Sequence, residues 1–166
     1  DQLPDQHLSR MARANHHDMV TFRSYQSHDS SAVRDLFALG LADFSAGYET
    51  QVERYIQQSL NDDLSDIAVH YLASPANHFW VAELGGVVKG MVGVQWRSDE
   101  EAELRRMSVA TDSRRQGIGL GLLETVEAFC RENGHQRIAL TTVTLLVAAI
   151  PMYEKFGFRL VGEEPY

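Results

Sequence analysis

The apolar residues change their spacing partway along the chain, and that change limits the fold more than any other feature. In the first half they recur at intervals of three and four, as the buried stripe of a helix requires. Val33, Leu36, Phe37, Leu41 and Phe44 form one such series, and Val52, Tyr55, Ile56, Leu60, Leu64, Ile67 and Tyr71 form a second. Beyond Pro75 the pattern becomes β-rich: His78–Leu84 and Val87–Trp96 are separated by Gly85-Gly86, a pair suited to a two-residue hairpin turn. The helical period then returns over Ile118–Glu132, with Ile118, Leu122, Val126, Phe129 and Cys130 on one face. Helices, then a meander, then a helical crossover predict an α/β domain.

The flanking signals place the other elements. Val20–Tyr25 alternates and reads as a first strand. Asp29 or Ser30 is positioned to cap the first helix, and Gly47 to end it. The second helical region runs from Thr50 to Leu72, with a break around Asn61-Asp62-Asp63. Ala102–Val109 reads as a further strand, and Asn133-Gly134 as the stop of the long helix. Arg137–Thr142 is predicted as a strand, Val147–Phe156 as a short helix ending at Gly157, and Phe158–Val161 as a last strand. Residues 1–18 lack any period and read as a flexible tail or leader. Residues 19–166 are then one domain, as a chain of 166 residues permits.

A net charge of −8 disfavours broad contact with nucleic acid or anionic membrane. No apolar run approaches the ~18 residues of a membrane span, and no signal-peptide pattern opens the chain. One cysteine excludes an internal disulfide and suits a reducing, cytoplasmic setting. His16-His17 lacks partners at metal-ligand spacing, so no metal is expected. Against the acidic background, Arg105–Arg106 and Arg114–Arg115 are local basic spots, suggesting a small anionic ligand.

The second pair opens a glycine-rich turn, Arg114-Arg115-Gln116-Gly117-Ile118-Gly119, between a strand and the longest helix. A helix start presents unpaired amides and a partial positive charge, which suits phosphate oxygens. A P-loop would need Lys-Ser/Thr where Leu120-Gly121 stands, and a dinucleotide turn would need glycine where Leu122 stands. Gly121, one turn inside the helix, reads as a close-packing position against the sheet.

This turn matches [QR]-x-x-G-x-[GA], and Ala149-Ile150-Pro151-Met152-Tyr153-Glu154-Lys155-Phe156-Gly157-Phe158 resembles the A-I-x-L-Y-E-K-x-G-F signature. Together with Glu103–Val109 they make residues 20–162 resemble a GNAT-superfamily N-acetyltransferase. Asp66-Ile67, Phe79–Glu83 and Gly90–Gly93 resemble the camello-like members, although Gln51–Asp63 is polar where those proteins carry a membrane segment. The resemblance implies a mixed, mostly antiparallel sheet of six to seven strands flanked by about four helices. The chain stops at Tyr166, where many relatives continue into a seventh strand, and a homodimer is left open.

It also implies acetyl-CoA as co-substrate and a primary amine as acceptor, with direct attack in a ternary complex. The alternative on the same fold is a non-catalytic acyl-CoA sensor, since Leu146 stands where many relatives have an asparagine that holds the cofactor arm. Arg114, Arg115, Gln116, Gly117, Ile118 and Gly119 match the pyrophosphate turn. Met107 and Val109 match positions whose backbone pairs with the pantetheine arm. Glu103 matches the glutamate used as general base, with Glu83 as second choice, and Tyr153 matches the acid that protonates the departing thiolate. The untidy face of the strand around residues 103–109 predicts a β-bulge near Arg105–Met107 that splays it from Arg137–Thr142. A lysine-like amine costs about 4–5 kcal/mol to deprotonate at pH 7, so the need for a base depends on the acceptor. Cys130 reads as core, and Trp80 and Trp96 as sheet residues that could line a pocket.

Overall fold

A computed structural model describes residues 19–43, 45–114, 116–141 and 150–162. Five strands form one sheet in the order β1 (Val20–Ser24), β2 (His78–Leu84), β3 (Val87–Trp96), β4 (Glu101–Val109) and β5 (Arg137–Ala139). The first four are antiparallel neighbours, and β5 returns parallel to β4. The turn at Gly85-Gly86 joins β2 to β3, as the spacing predicts. The parallel return needs a crossover, which α3 (Ile118–Glu132) provides.

Helices cover both faces. Against one face α3 packs Ile118, Leu122, Leu123, Val126 and Cys130 onto Trp80, Ala82, Val92, Val94, Ala102 and Leu104. Each fully buried Leu or Val on such a stripe contributes about 1.5–3 kcal/mol by leaving water. The other face carries α1 (Ser30–Ala42) and α2 (Glu49–Asn61), with Val33, Leu36 and Phe37 meeting Tyr25, Phe79, Val81 and Met91. Cys130 is buried, and its thiol is pushed up to about 11 by that burial, in keeping with a core role. Trp80 is buried in the sheet, whereas Trp96 is exposed at a strand end.

Several boundaries differ from those the sequence suggests. The break expected around Asn61-Asp62-Asp63 is present, with α2 stopping at Asn61, but the chain beyond it is not α-helix: a 3₁₀ turn spans Asp63–Ser65 and a π-helical turn spans Ala68–Leu72. Leu64, Ile67 and Tyr71 keep their buried places without a continuous helix. The first helix ends at Ala42, ahead of Gly47. Asp29 precedes it but does not cap it with its carboxylate, which instead takes both Arg23 Nη1 (2.7 Å) and Nη2 (2.8 Å) and the Gln26 amide (2.8 Å).

At the other end, α4 (Ile150–Phe156) ends where the sequence predicts, its expected start at Val147 lying outside the described residues, and β5 stops at Ala139. Phe158–Val161 is irregular chain, not a strand, with Leu160 and Val161 exposed. The sheet therefore has five strands among the described residues. The expectations for residues 1–18, Phe44, Arg115 and Leu146 fall outside those residues.

Candidate active site

Strand β4 organises the site. Ala102 and Leu104 face α3, and so do Met107 and Val109. A regular strand could not bury both even- and odd-numbered residues on one face. The parity changes because β4 carries an extra residue: Gly93 pairs with Arg105 and Met91 with Ser108, leaving Val92 opposite both Arg106 and Met107. Arg106 takes φ 55, the left-handed conformation that position 1 of this kind of bulge usually gives to glycine. The bulge lies where the untidy face of the strand predicts it.

On the other side of β4, the ladder to β5 is short. It pairs Glu101 with Arg137, Ala102 with Ile138 and Glu103 with Ala139, and goes no further among the described residues. The β4 edge from Leu104 to Val109 is left without that strand partner, beside the bulge. An extended polar chain could add there as a strand would, through main-chain hydrogen bonds.

The glycine-rich turn follows directly. Ala110 N–H donates to Lys89 O (2.8 Å) and Ser113 N–H to Ala110 O (2.9 Å), closing a 3₁₀ turn over Thr111–Ser113. Lys89 Nζ reaches Asp112 (2.9 Å), and Lys89 with the Ser113 hydroxyl holds that carboxyl below its ordinary range. Gly117 stands at the N-cap of α3 with φ 78, which a side chain would strain. Among the described residues no side chain caps this helix end, and a main-chain bond runs from Gly121 N–H to Gly117 O (3.0 Å). Helix geometry leaves the preceding amides without an intrahelical acceptor, so they remain for an anion.

Two further glycines let elements meet. A Cβ on Gly119 would lie 2.7 Å from Met152 Sδ and 3.5 Å from Met107 Cε, so α3 touches both α4 and the β4 edge here. A Cβ on Gly121 would lie 2.0 Å from the Phe22 ring, which confirms its close-packing role. Tyr153 sits on α4 beside Met152, against the same apolar cluster as Met107 and Val109. Its ring meets Phe158 edge-on at 5.8 Å, and burial pushes the phenol up to about 12. Met107, Val109, Ile118, Gly119 and Tyr153 are thus gathered on the α3 face. Arg114 and Gln116 lie in the exposed turn leading into it.

Glu103 is on the opposite face, half-buried, at the last rung before β4 and β5 part. It lies across from Gln95, whose amide accepts from Arg105 Nη1 (3.0 Å) and donates to His70 O (3.3 Å). Glu83 is placed differently. It lies two strands from β4, and Arg23 Nη2 holds it at 2.7 Å. Among the described residues no three His, Cys, Asp or Glu are grouped to hold a metal.

One constellation has no local sequence signal. Arg106 leaves the bulge toward α2 and forks onto Asp63, with Nη2 to Oδ1 at 2.6 Å and Nε to Oδ2 at 3.0 Å. Its Nη1 donates to Tyr55 (3.0 Å) and Ser59 (3.1 Å), and Tyr71 donates to Asp63. Burial opposes the charge on Asp63, but Arg106 and Tyr71 outweigh it and hold the carboxyl below its ordinary range. The Arg105–Arg106 pair marks the spot in the sequence, but nothing nearby in the chain names its partner 43 residues earlier.

The sequence pattern of the Acetyltransferase (GNAT) family matches residues 34–158. Among curated proteins, N-acetylaspartate synthetase of Danio rerio is 40% identical over 110 residues, 66% of this chain and 39% of its own length. N-acetyltransferase 8 of Rattus norvegicus is 35% identical over 116 residues, 67% of this chain and 52% of its own. The probable N-acetyltransferase camello of Xenopus laevis is 36% identical over 124 residues, 72% of this chain and 57% of its own. The chain therefore spans about half the length, or less, of these relatives. Among solved structures, the PaiA N-acetyltransferase of Thermoplasma acidophilum in complex with coenzyme A superposes with a TM-score of 0.78 at 19% identity, over 88% of this chain and 93% of that one. A GNAT acetyltransferase of Staphylococcus aureus gives 0.72 at 23% identity, over 85% and 84%. These superpositions carry the fold. With the family pattern covering most of its length, the chain belongs to the acetyltransferase (GNAT) family.

Proposed function

We propose that this domain is an acetyl-CoA-dependent N-acetyltransferase, passing an acetyl group to a primary amine by direct attack within a ternary complex. The observation that carries the reading is the parting of β4 from β5 after Glu103–Ala139, immediately before a bulge and an uncapped helix start. Those features offer a main-chain edge for the pantetheine arm at Met107 and Val109. The same helix start suits the pyrophosphate, and the sequence motif assigns Arg114, Arg115, Gln116, Gly117, Ile118 and Gly119 to it. The relatives named as N-acetyltransferases, and the coenzyme A held by the Thermoplasma protein, support the same donor.

In this reading the amine attacks the thioester carbonyl while a main-chain N–H at the bulge takes the developing oxyanion. Glu103, at the mouth of the parting, accepts the amine's proton directly or through a water. Tyr153, kept protonated by burial, gives its proton to the thiolate as the carbon–sulfur bond breaks. Holding both reactants together supplies roughly 7–11 kcal/mol in good geometry. The relative named as an N-acetylaspartate synthetase supports amino acids among the acceptors.

A single domain over residues 19–166, a cytoplasmic location, the absence of membrane and nucleic-acid partners, a homodimer, and a sheet completed to six or seven strands belong to the same proposal. No helix among the described residues is long and apolar enough to cross a membrane.

The test is incubation with acetyl-CoA and a panel of amines and amino acids, followed by thiol release. Turnover with at least one amine, lost in Glu103→Gln and Tyr153→Phe, is the expected result. Saturable acetyl-CoA binding without turnover on a broad panel would point instead to an acyl-CoA sensor.

A further inference from the structure

The Arg106 side chain is 8% exposed, and its backbone holds a left-handed conformation in which glycine would be less strained. What the arginine gains there is a set of contacts to three separate elements. Its guanidinium forks onto Asp63 of the 3₁₀ turn, whose side chain is 5% exposed, and donates to Tyr55 and Ser59 of α2. It also lies over the Phe37 ring of α1 at 5.3 Å and beside the Tyr55 ring at 5.9 Å. Tyr71 of the π-helical turn closes the set from the far side of Asp63. The helices α1 and α2 and the 3₁₀ turn are thereby tied directly, and the π-helical turn through Asp63, to the one β4 residue whose backbone makes the bulge.

We infer that the Asp63–Arg106 pair is a positioning device, which fixes the α2 wall to the β4 bulge so that the acceptor bound on one side meets the thioester held on the other. The inference rests on the transferase reading above. Arg106 is a positioning residue: its donors are directed at Asp63, Tyr55 and Ser59, and it acts through the backbone it shares with the bulge. A shift of about 1 Å between reactants is enough to cost ~10²-fold in rate, so loosening this tie should be felt in turnover. The glycine-rich turn lies beyond the end of the strand, so coenzyme A affinity should hardly change.

Three variants test this: Asp63→Asn, Arg106→Lys and Arg106→Gly. The last relieves the strained backbone but leaves Asp63 buried without its counter-ion, so its turnover is read on the folded fraction, well below its own melting temperature. The expected result is a 10- to 100-fold fall in kcat with the preferred amine, while the dissociation constant for coenzyme A stays within about threefold. Asp63→Asn/Arg106→Gly together should fall little further than either alone. Hydrogen–deuterium exchange should rise at residues 55–71 and 104–109, and not in α3.

Unchanged kcat in Arg106→Gly, a parallel loss of coenzyme A binding, or failure of all three variants to fold would overturn the inference. If the unaltered protein binds acetyl-CoA but acetylates nothing, the transferase reading fails. The exchange pattern still decides whether the pair ties α2 to the bulge: faster exchange confined to 55–71 and 104–109 supports it, and unchanged exchange refutes it.

Discussion

Replacing Tyr153 with phenylalanine removes one oxygen and keeps the ring in place against Phe158, 5.8 Å away, and the cluster around Met107. Losing one hydroxyl contact costs about 1 kcal/mol at most, or ~2–4 °C in melting temperature for a chain of this size. The chemical cost should be larger. The departing thiolate belongs to a thiol of ordinary pKa near ~8.5, which leaves partly unaided, so the lower end of the ~10²–10⁴-fold range for proton transfer applies. A fall of about 10²-fold in kcat, or ~2.7 kcal/mol of barrier, is expected. Initial rates of thiol release at saturating amine and acetyl-CoA measure it. Because burial pushes the phenol up to about 12, it remains protonated between pH 7 and 10 and adds no descending limb to the rate profile there. Turnover in Tyr153→Phe within twofold of the unaltered protein, at matched melting temperature, would refute the acid role.

Glu103→Gln should lower turnover more for lysine-like amines than for α-amines of lower pKa, whose deprotonation at pH 7 costs ~1–1.5 kcal/mol instead of about 4–5; rates on paired acceptors check this. Gly121→Ala drives a methyl group into the Phe22 ring and should destabilise by about 1–3 kcal/mol, read as a lower melting temperature and partly reversed by Phe22→Ala. Stability should fall as acid reaches the carboxylates of Asp29 and Asp63. Arg23 holds Asp29 low, and Asp63 is held low against the penalty of its burial by Arg106 and Tyr71. Their contribution is present above the unfolded-state value near ~4 and lost as pH falls through the depressed folded values. Melting curves from pH 6 downward, flatter in Asp29→Asn, measure that slope. Cys130, at about 11 against an ordinary 9.0, should react at least ~10²-fold more slowly with iodoacetamide in the native protein than after denaturation.

What the chain settles by itself is what neighbouring residues can settle. Ile118–Glu132 carries its own periodic stripe, Gly85-Gly86 its own turn, and Gly117 the left-handed cap that opens α3 toward an anion. These need only residues a few places apart, so the glycine-rich helix start and the meander could be read before any contact was known. The bulge was legible for the same reason, because the polarity of residues 103–108 breaks the alternation that a flat strand would keep.

Long-range contacts decided the rest. The break at Asn61-Asp62-Asp63 in the second helical stretch was legible, but the 3₁₀ turn and π-helical turn that follow it were not. Asp63 and Tyr71 are drawn onto Arg106 and over Gly93, a demand no propensity within the stretch encodes. Asp29 looked like a helix cap, but a bidentate arginine on the preceding strand β1 outcompetes weak local amides. Glu83 and Glu103 are alike in sequence. Only the fold ties one to Arg23 and sets the other where β4 leaves β5. Local spacing determined which elements form and where an anion is welcome. Which acidic residue faces the parting, and what steadies the bulge beside it, was decided by partners that packing brings together from distant parts of the chain.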